Sequence, residues 1–245
     1  MTTVIKLGGS LLDDAARRDG ALRKIVARWN AGEDIVLVHG GGKHIDAALA
    51  RAGIAKKTHA GLRITDDATL QIVVSVLGGT VNKMLVSELT KLGVRAAGIS
   101  GCDGGTLVAA QHPAIDGVGL GHVGKVTHAS KALVASMLNY GVLPVVSSIA
   151  MGEDGQLFNV NADNAAAAMA VAVGAKELLF ITDVAGLLDA DGNVVPRLHA
   201  ADAKTFIDNV TGGMKPKLQA ALSALTSGVR EITIGEEGGT TLVAA

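Results

Sequence analysis

Cysteine is nearly absent from the 245-residue chain. Cys102 stands alone, so neither an intrachain disulfide nor a cysteine metal cluster can form. Proline occurs four times, and no Pro/Ser-rich linker divides the sequence. Aromatic residues amount to 2%, namely Trp29, Tyr140 and three phenylalanines, which removes the stacking platforms of single-strand binders. Neither sign of charge dominates, with 22 Lys+Arg against 23 Asp+Glu, and the basic stripe of a phosphate-backbone binder is missing. No uninterrupted apolar run reaches the roughly 18 residues of a membrane span. The start, Met1–Lys6, lacks the charged and then apolar pattern of a signal peptide. A cytoplasmic protein is expected.

What the chain does have is aliphatic side chains and glycine. Hydrophobic residues make up 49% and glycines number 32, gathered in clusters and not at every third position. Disorder is excluded by that aliphatic content and by a net charge of −1. The length fits one to two domains of about 150 residues, and without a linker or internal repeat the chain reads as one continuous domain.

Short apolar runs over 4–7, 35–39, 96–100, 143–149, 177–182 and 231–234 predict strands. Several are apolar throughout, as in strands covered on both faces of a parallel sheet. Between them, apolar spacings of three and four predict helices over 21–30, 45–52, 66–92, 131–140, 161–173 and 217–227. This alternation implies an α/β sandwich with right-handed crossovers. Thr65-Asp66-Asp67 supplies a helix cap and Gly93 a stop. Turn residues predict exposed β-hairpins over 112–128 and 152–157, and a further turn over 189–193.

Three glycine clusters directly follow predicted strands: Lys6-Leu7-Gly8-Gly9-Ser10, His39-Gly40-Gly41-Gly42-Lys43, and the run from Gly98 to Gly105. Ligands of open α/β sheets bind beyond the carboxyl ends of strands, where bare N–H groups approach anions. One cluster alone is readily an ordinary tight turn; three in one topological position favour a binding crevice. The chain has neither a Gly-x-x-x-x-Gly-Lys-Ser/Thr loop nor a dinucleotide Gly-x-Gly-x-x-Gly after its first strand, nor the protein-kinase motifs. Lys6 ends an apolar strand, Lys217 follows Gly212-Gly213-Met214-Lys215-Pro216, and Asp163 lies in Asn159-Val160-Asn161-Ala162-Asp163-Asn164. Taken singly, each has a plain alternative: a lysine reaching water at a strand edge, a solvated first-turn lysine, and a helix cap from Asn161 or Asp163.

The chain resembles the amino acid kinase family, and its acyl-amino-acid branch most closely. The resemblance rests on those clusters together with Gly61-Leu62-Arg63-Ile64-Thr65-Asp66, Val81-Asn82-Lys83, Gly121-His122-Val123-Gly124, Thr182-Asp183-Val184-Ala185-Gly186-Leu187 and the Gly212–Lys217 segment. The motifs occur in the family's order from residue 4 to about 243.

This resemblance implies a three-layer α/β/α sandwich with a mainly parallel central sheet, as a single domain of two lobes. Residues 1–175 would bind the acyl amino acid and 176–245 would bind ATP. The implied reaction is ATP-dependent phosphorylation of the side-chain carboxylate of N-acetyl-L-glutamate, in arginine biosynthesis. The alternatives are acetylaminoadipate as substrate, in lysine biosynthesis, or a noncatalytic ligand-binding regulator on the same fold.

By the same resemblance, Lys6 and Lys217 would neutralise the transferring group, Asp163 would hold both, and Gly9 and Gly42 would donate N–H bonds to the phosphoryl oxygens. Gly41, Gly42, Arg63 and Asn159 would bind the acid. Thr182, Asp183, Val184, Gly186, Leu187, Gly212, Gly213 and Met214 would bind ATP. Magnesium would ride on the phosphates, with no protein metal ligand assigned. Against regulated hexameric relatives, the short segment before the first strand and the abbreviated end Gly235–Leu242 predict an arginine-insensitive homodimer. The helix over 66–92 is the candidate dimer contact, and an ordinary core helix would read the same way.

Overall fold

A computed structural model describes the chain except for residues 183, 190, 208–213, 236, 237 and 245. Its strands are β1 (Thr2–Leu7), β2 (Asp34–His39), β3 (Thr58–His59), β4 (Leu62–Arg63), β5 (Ala96–Ser100), β6 (Leu107–Gln111) and β7 (Val123–Ala129). They continue with β8 (Leu143–Ser147), β9 (Ile149–Met151), β10 (Leu157–Val160), β11 (Glu177–Ile181), β12 (Arg197–His199), β13 (Glu231–Ile234) and β14 (Thr240–Val243). The helices are α1 (Ala15–Asn30), α2 (Gly42–Arg51), α3 (Asp67–Val74), α4 (Asn82–Lys91), α5 (Ala132–Asn139), α6 (Ala162–Val173), α7 (Ala200–Phe206) and α8 (Met214–Thr226).

Eight strands form the main sheet in the order β12-β14-β13-β11-β1-β2-β8-β5. From β13 to β5 every neighbouring pair is parallel, while β14 runs antiparallel to β13. Each central strand is apolar on both faces because both faces are covered. Val4, Val36 and Val38 meet α5, α6 and α8 in one core; Ile5, Ile35 and Leu37 meet α1 to α4 in the other. The expected three-layer α/β/α sandwich is therefore present. The chain starts at β1 in the middle of the sheet, adds β2 beside it, goes out to the edge strand β5, comes back to place β8 between β2 and β5, and then crosses to β11 on the other side of β1. That reversal opens a crevice at the carboxyl ends of β1 and β2.

The two hairpins depart from expectation. Residues 112–122 and 152–156 are the connections of longer antiparallel pairs, β6–β7 and β9–β10. These pairs join through parallel β10–β7 and β6–β9 contacts into a small closed barrel, so they are not separate exposed ribbons. Leu107, Ala109, Val123, Phe158 and Val160 are buried there. Gly124 makes the closure possible, since a Cβ would lie 2.6 Å from the Phe158 Cβ. Turn glycines mark where strands end and carry no information on how two distant pairs will join.

The helix expected over 66–92 also differs. Asp66 caps it by accepting from the Thr69 N–H, and Gly93 ends it at φ +88°, yet its middle, Ser75–Val81, is a π-helix. The stretch Asp67–Lys91 is long and apolar enough to cross a membrane by composition alone, with mean hydropathy 1.4 over its best window. Here Val73, Val76, Leu77, Val81, Leu85 and Leu89 are buried in the second core.

Candidate active site

β1 places its even-numbered residues toward α6, so Lys6 enters the same layer as Val4 and does not reach solvent. It meets Asp163, in the first turn of α6. Asn161 caps that helix by accepting from the Asp163 and Asn164 N–H groups, which releases the Asp163 side chain for another role. The Lys6 ammonium lies 2.9 Å from Asp163 Oδ1. Lys217, from the first turns of α8, donates to both Asp163 oxygens at 3.0 and 3.1 Å. The Lys217 Nζ also sits 5.2 Å above the ring of Phe180, the β11 residue in register with Lys6.

All three charged residues are 6–7% exposed, so neither lysine reaches water, and of the two capping candidates it is Asn161 that caps the helix. α6 can approach closely because Ala165, Ala166, Ala167 and Ala170 carry only methyl groups. Burial pushes the Asp163 carboxyl up, but the two ammonium groups outweigh it and hold its pKa below the ordinary carboxylate value.

Beside this triad lies a cleft of about 230 Å³ at the switch point. Its walls include Lys6, Gly8, Gly9, Gly40, Gly41, Gly42, Arg63, Asn159 and Asp163. Gly9 has φ +64°, and a Cβ on Gly8 would fall 2.0 Å from the Lys6 Nζ, so a side chain there would displace the lysine. The Gly40 N–H donates to Leu7 O at 3.2 Å, tying the two glycine turns together. Gly42 begins α2, with its first-turn N–H groups at a helix N-terminus.

Arg63, on β4, donates through Nη2 to Gly42 O at 3.2 Å and to the Asp46 carboxylate. Its Nη1 is buried and, among the described residues, has no hydrogen-bond partner. A buried guanidinium nitrogen left open on a cleft fits an incoming anion. Asn159 lies nearby, donating to Thr65 Oγ1 at 3.1 Å.

On the far side of the triad, Thr182 is buried at the end of β11 and Val184 is exposed. A Cβ on Gly186 would meet Thr240 Oγ1 at 2.8 Å; Leu187 is buried and its N–H donates to that hydroxyl at 2.8 Å. Met214 opens α8. Asp183, Gly212 and Gly213 lie outside the described residues. Among the described residues no group of three or more His, Cys, Asp or Glu is placed to hold a metal ion.

Asp46 and the buried set around His39 also belong to the site, and neither carries a signal in sequence alone. Asp46 lies four residues into α2 and has no local signature; only the fold brings Arg63 to it. The His39 ring is fully buried, with Nδ1 2.9 Å from Gly40 O and Nε2 3.1 Å from the Asn82 amide nitrogen. Burial lowers its pKa from 6.5 to about 4, against the Gly40 contact that raises it and with help from the Lys83 charge. Below pH 6.5 the unfolded chain takes up a proton at His39 that the native ring refuses until about pH 4. Unfolding free energy should therefore fall across that window, by up to ~1.4 kcal/mol per pH unit from this group. Urea titrations at stepped pH check this: the slope should flatten in His39→Asn, and an unaltered slope would contradict it.

A doubly covered parallel sheet with a cationic cleft at its switch point is a setting for handling small, highly charged substrates. Residues 1–236 match the amino acid kinase family, and the chain belongs to it. Among its relatives is an acetylglutamate kinase from Solibacter usitatus, 42% identical with the whole of both chains covered. Another, from Methanopyrus kandleri, is 43% identical over 94% of this chain and 93% of that one. A solved Streptococcus mutans structure superposes with TM-score 0.88 at 30% identity, covering 99% of this chain and 98% of that one. Carbamate kinase from Giardia lamblia bound to AMP-PNP shares the fold, with TM-score 0.74 at 14% identity over 100% of this chain and 98% of that one.

Proposed function

We propose that the chain is an acetylglutamate kinase, which transfers the γ-phosphoryl group of MgATP to the side-chain carboxylate of N-acetyl-L-glutamate. The observation that carries this reading is the buried Lys6–Asp163–Lys217 triad beside a cleft that also holds the open Nη1 of Arg63. One end suits a transferring phosphoryl group, the other a carboxylate.

In the reaction a carboxylate oxygen attacks the γ-phosphorus, the bond from that phosphorus to the β-bridging oxygen breaks, and ADP leaves. The acid is already ionised at neutral pH, so no base must take a proton. The obstacle is repulsion between two anions, and positioning with cationic stabilisation answers it. Lys6 and Lys217 flank the phosphoryl oxygens, Asp163 fixes both ammonium groups, and the Gly9 and Gly42 N–H groups complete the donor set. Arg63 takes the α-carboxylate, with Asn159 and Gly41 beside it. ATP would lie over Thr182, Asp183, Val184, Gly186 and Leu187 and the segment Gly212-Gly213-Met214, and magnesium would be carried on its phosphates. The lobe boundary falls near residues 175 and 176, after α6. The enzyme works in the cytoplasm as a homodimer, with the helix over 66–92 against a second copy; a monomer on sedimentation would remove that part.

Hydroxylamine trapping tests the reading. N-acetyl-L-glutamate should yield hydroxamate in an ATP-dependent manner, and free glutamate should not. Acetylaminoadipate is one methylene longer, a difference of only about 1–3 kcal/mol, so it is run beside them. No hydroxamate from acetylglutamate would overturn the assignment; a higher kcat/KM with acetylaminoadipate would move it to that acid.

Binding and chemistry should separate by residue. Arg63→Ala should raise the KM for the acid about 10- to 100-fold, the worth of a charge-assisted pair, with kcat changed far less. Asp46→Asn should move the same constant in the same direction by a smaller factor, because it loosens Arg63 without removing it. Initial-rate kinetics at saturating ATP read both; a fall in kcat at constant KM would contradict these roles.

A further inference from the structure

Three motifs have no part in the reaction as described so far: His39 ahead of the glycine turn, Val81-Asn82-Lys83, and Gly98-Ile99-Ser100. The fold brings them into one buried network. The Asn82 amide nitrogen shares its two hydrogens among Val145 O at 3.0 Å, His39 Nε2 at 3.1 Å and, more weakly, Ile99 O at 3.3 Å, while its oxygen accepts from the Lys83 ammonium at 3.1 Å. Lys83 also donates to Gly98 O at 3.1 Å. Two carbonyls on the nitrogen and an ammonium on the oxygen fix which way the amide points.

That orientation settles the histidine. Facing an N–H donor at 3.1 Å, His39 Nε2 must accept, so the ring proton sits on Nδ1 and is donated to Gly40 O at 2.9 Å. Gly40 O belongs to the same planar peptide unit as the Gly41 N–H, and in a trans unit the two point in opposite directions. Holding the carbonyl against the imidazole therefore turns the Gly41 N–H away from it. Gly98 is glycine for the same network, because a Cβ there would lie 1.7 Å from Asn82 Oδ1.

We propose that His39 is a positioning residue: as the Nδ1–H tautomer, locked by Asn82 and Lys83, it sets the Gly40–Gly41 peptide so that the glycine turn presents its N–H groups to the reacting carboxylate and phosphoryl group. This rests on the acyl-phosphate reading above. The ring touches no substrate. It stays neutral because burial lowers its pKa to about 4, so at neutral pH Nε2 remains an acceptor for the Asn82 amide while Nδ1 donates.

Two amide substitutions separate positioning from simple packing. In His39→Asn the side-chain nitrogen reaches the place of Nδ1 and can still donate to Gly40 O. In His39→Gln the nitrogen falls at the place of Nε2 and cannot. His39→Asn should lose about fivefold or less in kcat, and His39→Gln about 50-fold, with acid KM within about threefold in both. Equal losses in the two variants, or losses confined to KM, would overturn the proposal. Nitrogen-15 spectra of ring-labelled wild-type protein, assigned by residue, give a readout independent of turnover and of variant folding. They should show His39 protonated at Nδ1 and bare at Nε2, and the opposite tautomer would overturn the proposal. Absence of hydroxamate in wild type would instead remove the catalytic reading, leaving the tautomer to be judged by the spectra.

Discussion

Replacing Lys217 by alanine should lower kcat by about two to three orders of magnitude while the KM for the acid stays within a few-fold. The Lys217 ammonium is buried at the Asp163 end of the site, 3.0 Å from that carboxylate, whereas the group assigned to the acid is Arg63. Its value to the enzyme comes when negative charge spreads over the phosphoryl oxygens, and little of it is felt before that. An interaction made only in the transition state lowers kcat and kcat/KM by the same factor. The Lys6–Asp163 contact at 2.9 Å does not depend on it, so the variant should fold with the remaining pair in place. Initial rates with both substrates varied read the outcome. A large rise in the acid KM at constant kcat would exchange the roles of Lys217 and Arg63.

Asp163→Asn should be damaging for a different reason. It leaves two ammonium groups, each 6–7% exposed as a residue, facing an amide where a carboxylate had held them. Breaking a buried ion pair from one side costs about 3–5 kcal/mol, since the remaining charge keeps its desolvation penalty. The melting temperature should therefore drop along with kcat. An anion that binds between the lysines restores part of what the carboxylate supplied, so MgADP with inorganic phosphate should raise the melting temperature more in the variant than in wild type.

The pH dependence gives a second handle on Asp163. Because the native pKa lies below the ordinary value of 3.8, its stabilisation is full above that value and is lost as pH falls through the depressed one. The asparagine variant should lack that acid-side loss. Equal ligand shifts and equal acid sensitivity in both proteins would show that the carboxylate does not organise the two lysines.

How far the molecule was legible in its sequence depended on the range of the contacts. β2 and β8 stand out because both faces of each are covered along an unbroken apolar run, Ile35–Val38 and Leu143–Val146. α1 was legible only from Ala21, although it begins at Ala15: its first turn carries Arg17, Arg18 and Asp19, so the apolar stripe starts late, and its signal there is the Asp14 cap. The π-helix around Gly78-Gly79 has no apolar period of its own. The barrel depends on pairing β10 with β7, more than thirty residues apart, which no local pattern encodes.

The site divides in the same way. A lysine ending a strand looks alike in sequence whether it reaches water or Asp163, so Lys6, Asp163 and Lys217 could be singled out together only through the order of the motifs. Arg63 was legible in its motif, but its partner Asp46 was not. His39 and Asn82 were visible as letters within motifs, and their contact across 43 positions was not.

The central claim is that the acid's own carboxylate attacks the γ-phosphorus. It is tested most directly with N-acetyl-L-glutamate carrying oxygen-18 in its side-chain carboxylate, run with ATP and hydroxylamine. Attack by that carboxylate puts one labelled oxygen in the bridge to phosphorus, and hydroxylamine then displaces phosphate from the acyl carbon. The inorganic phosphate released should carry one oxygen-18 and match the hydroxamate and ADP in amount. Unlabelled phosphate, or ADP formed without hydroxamate, would contradict the account.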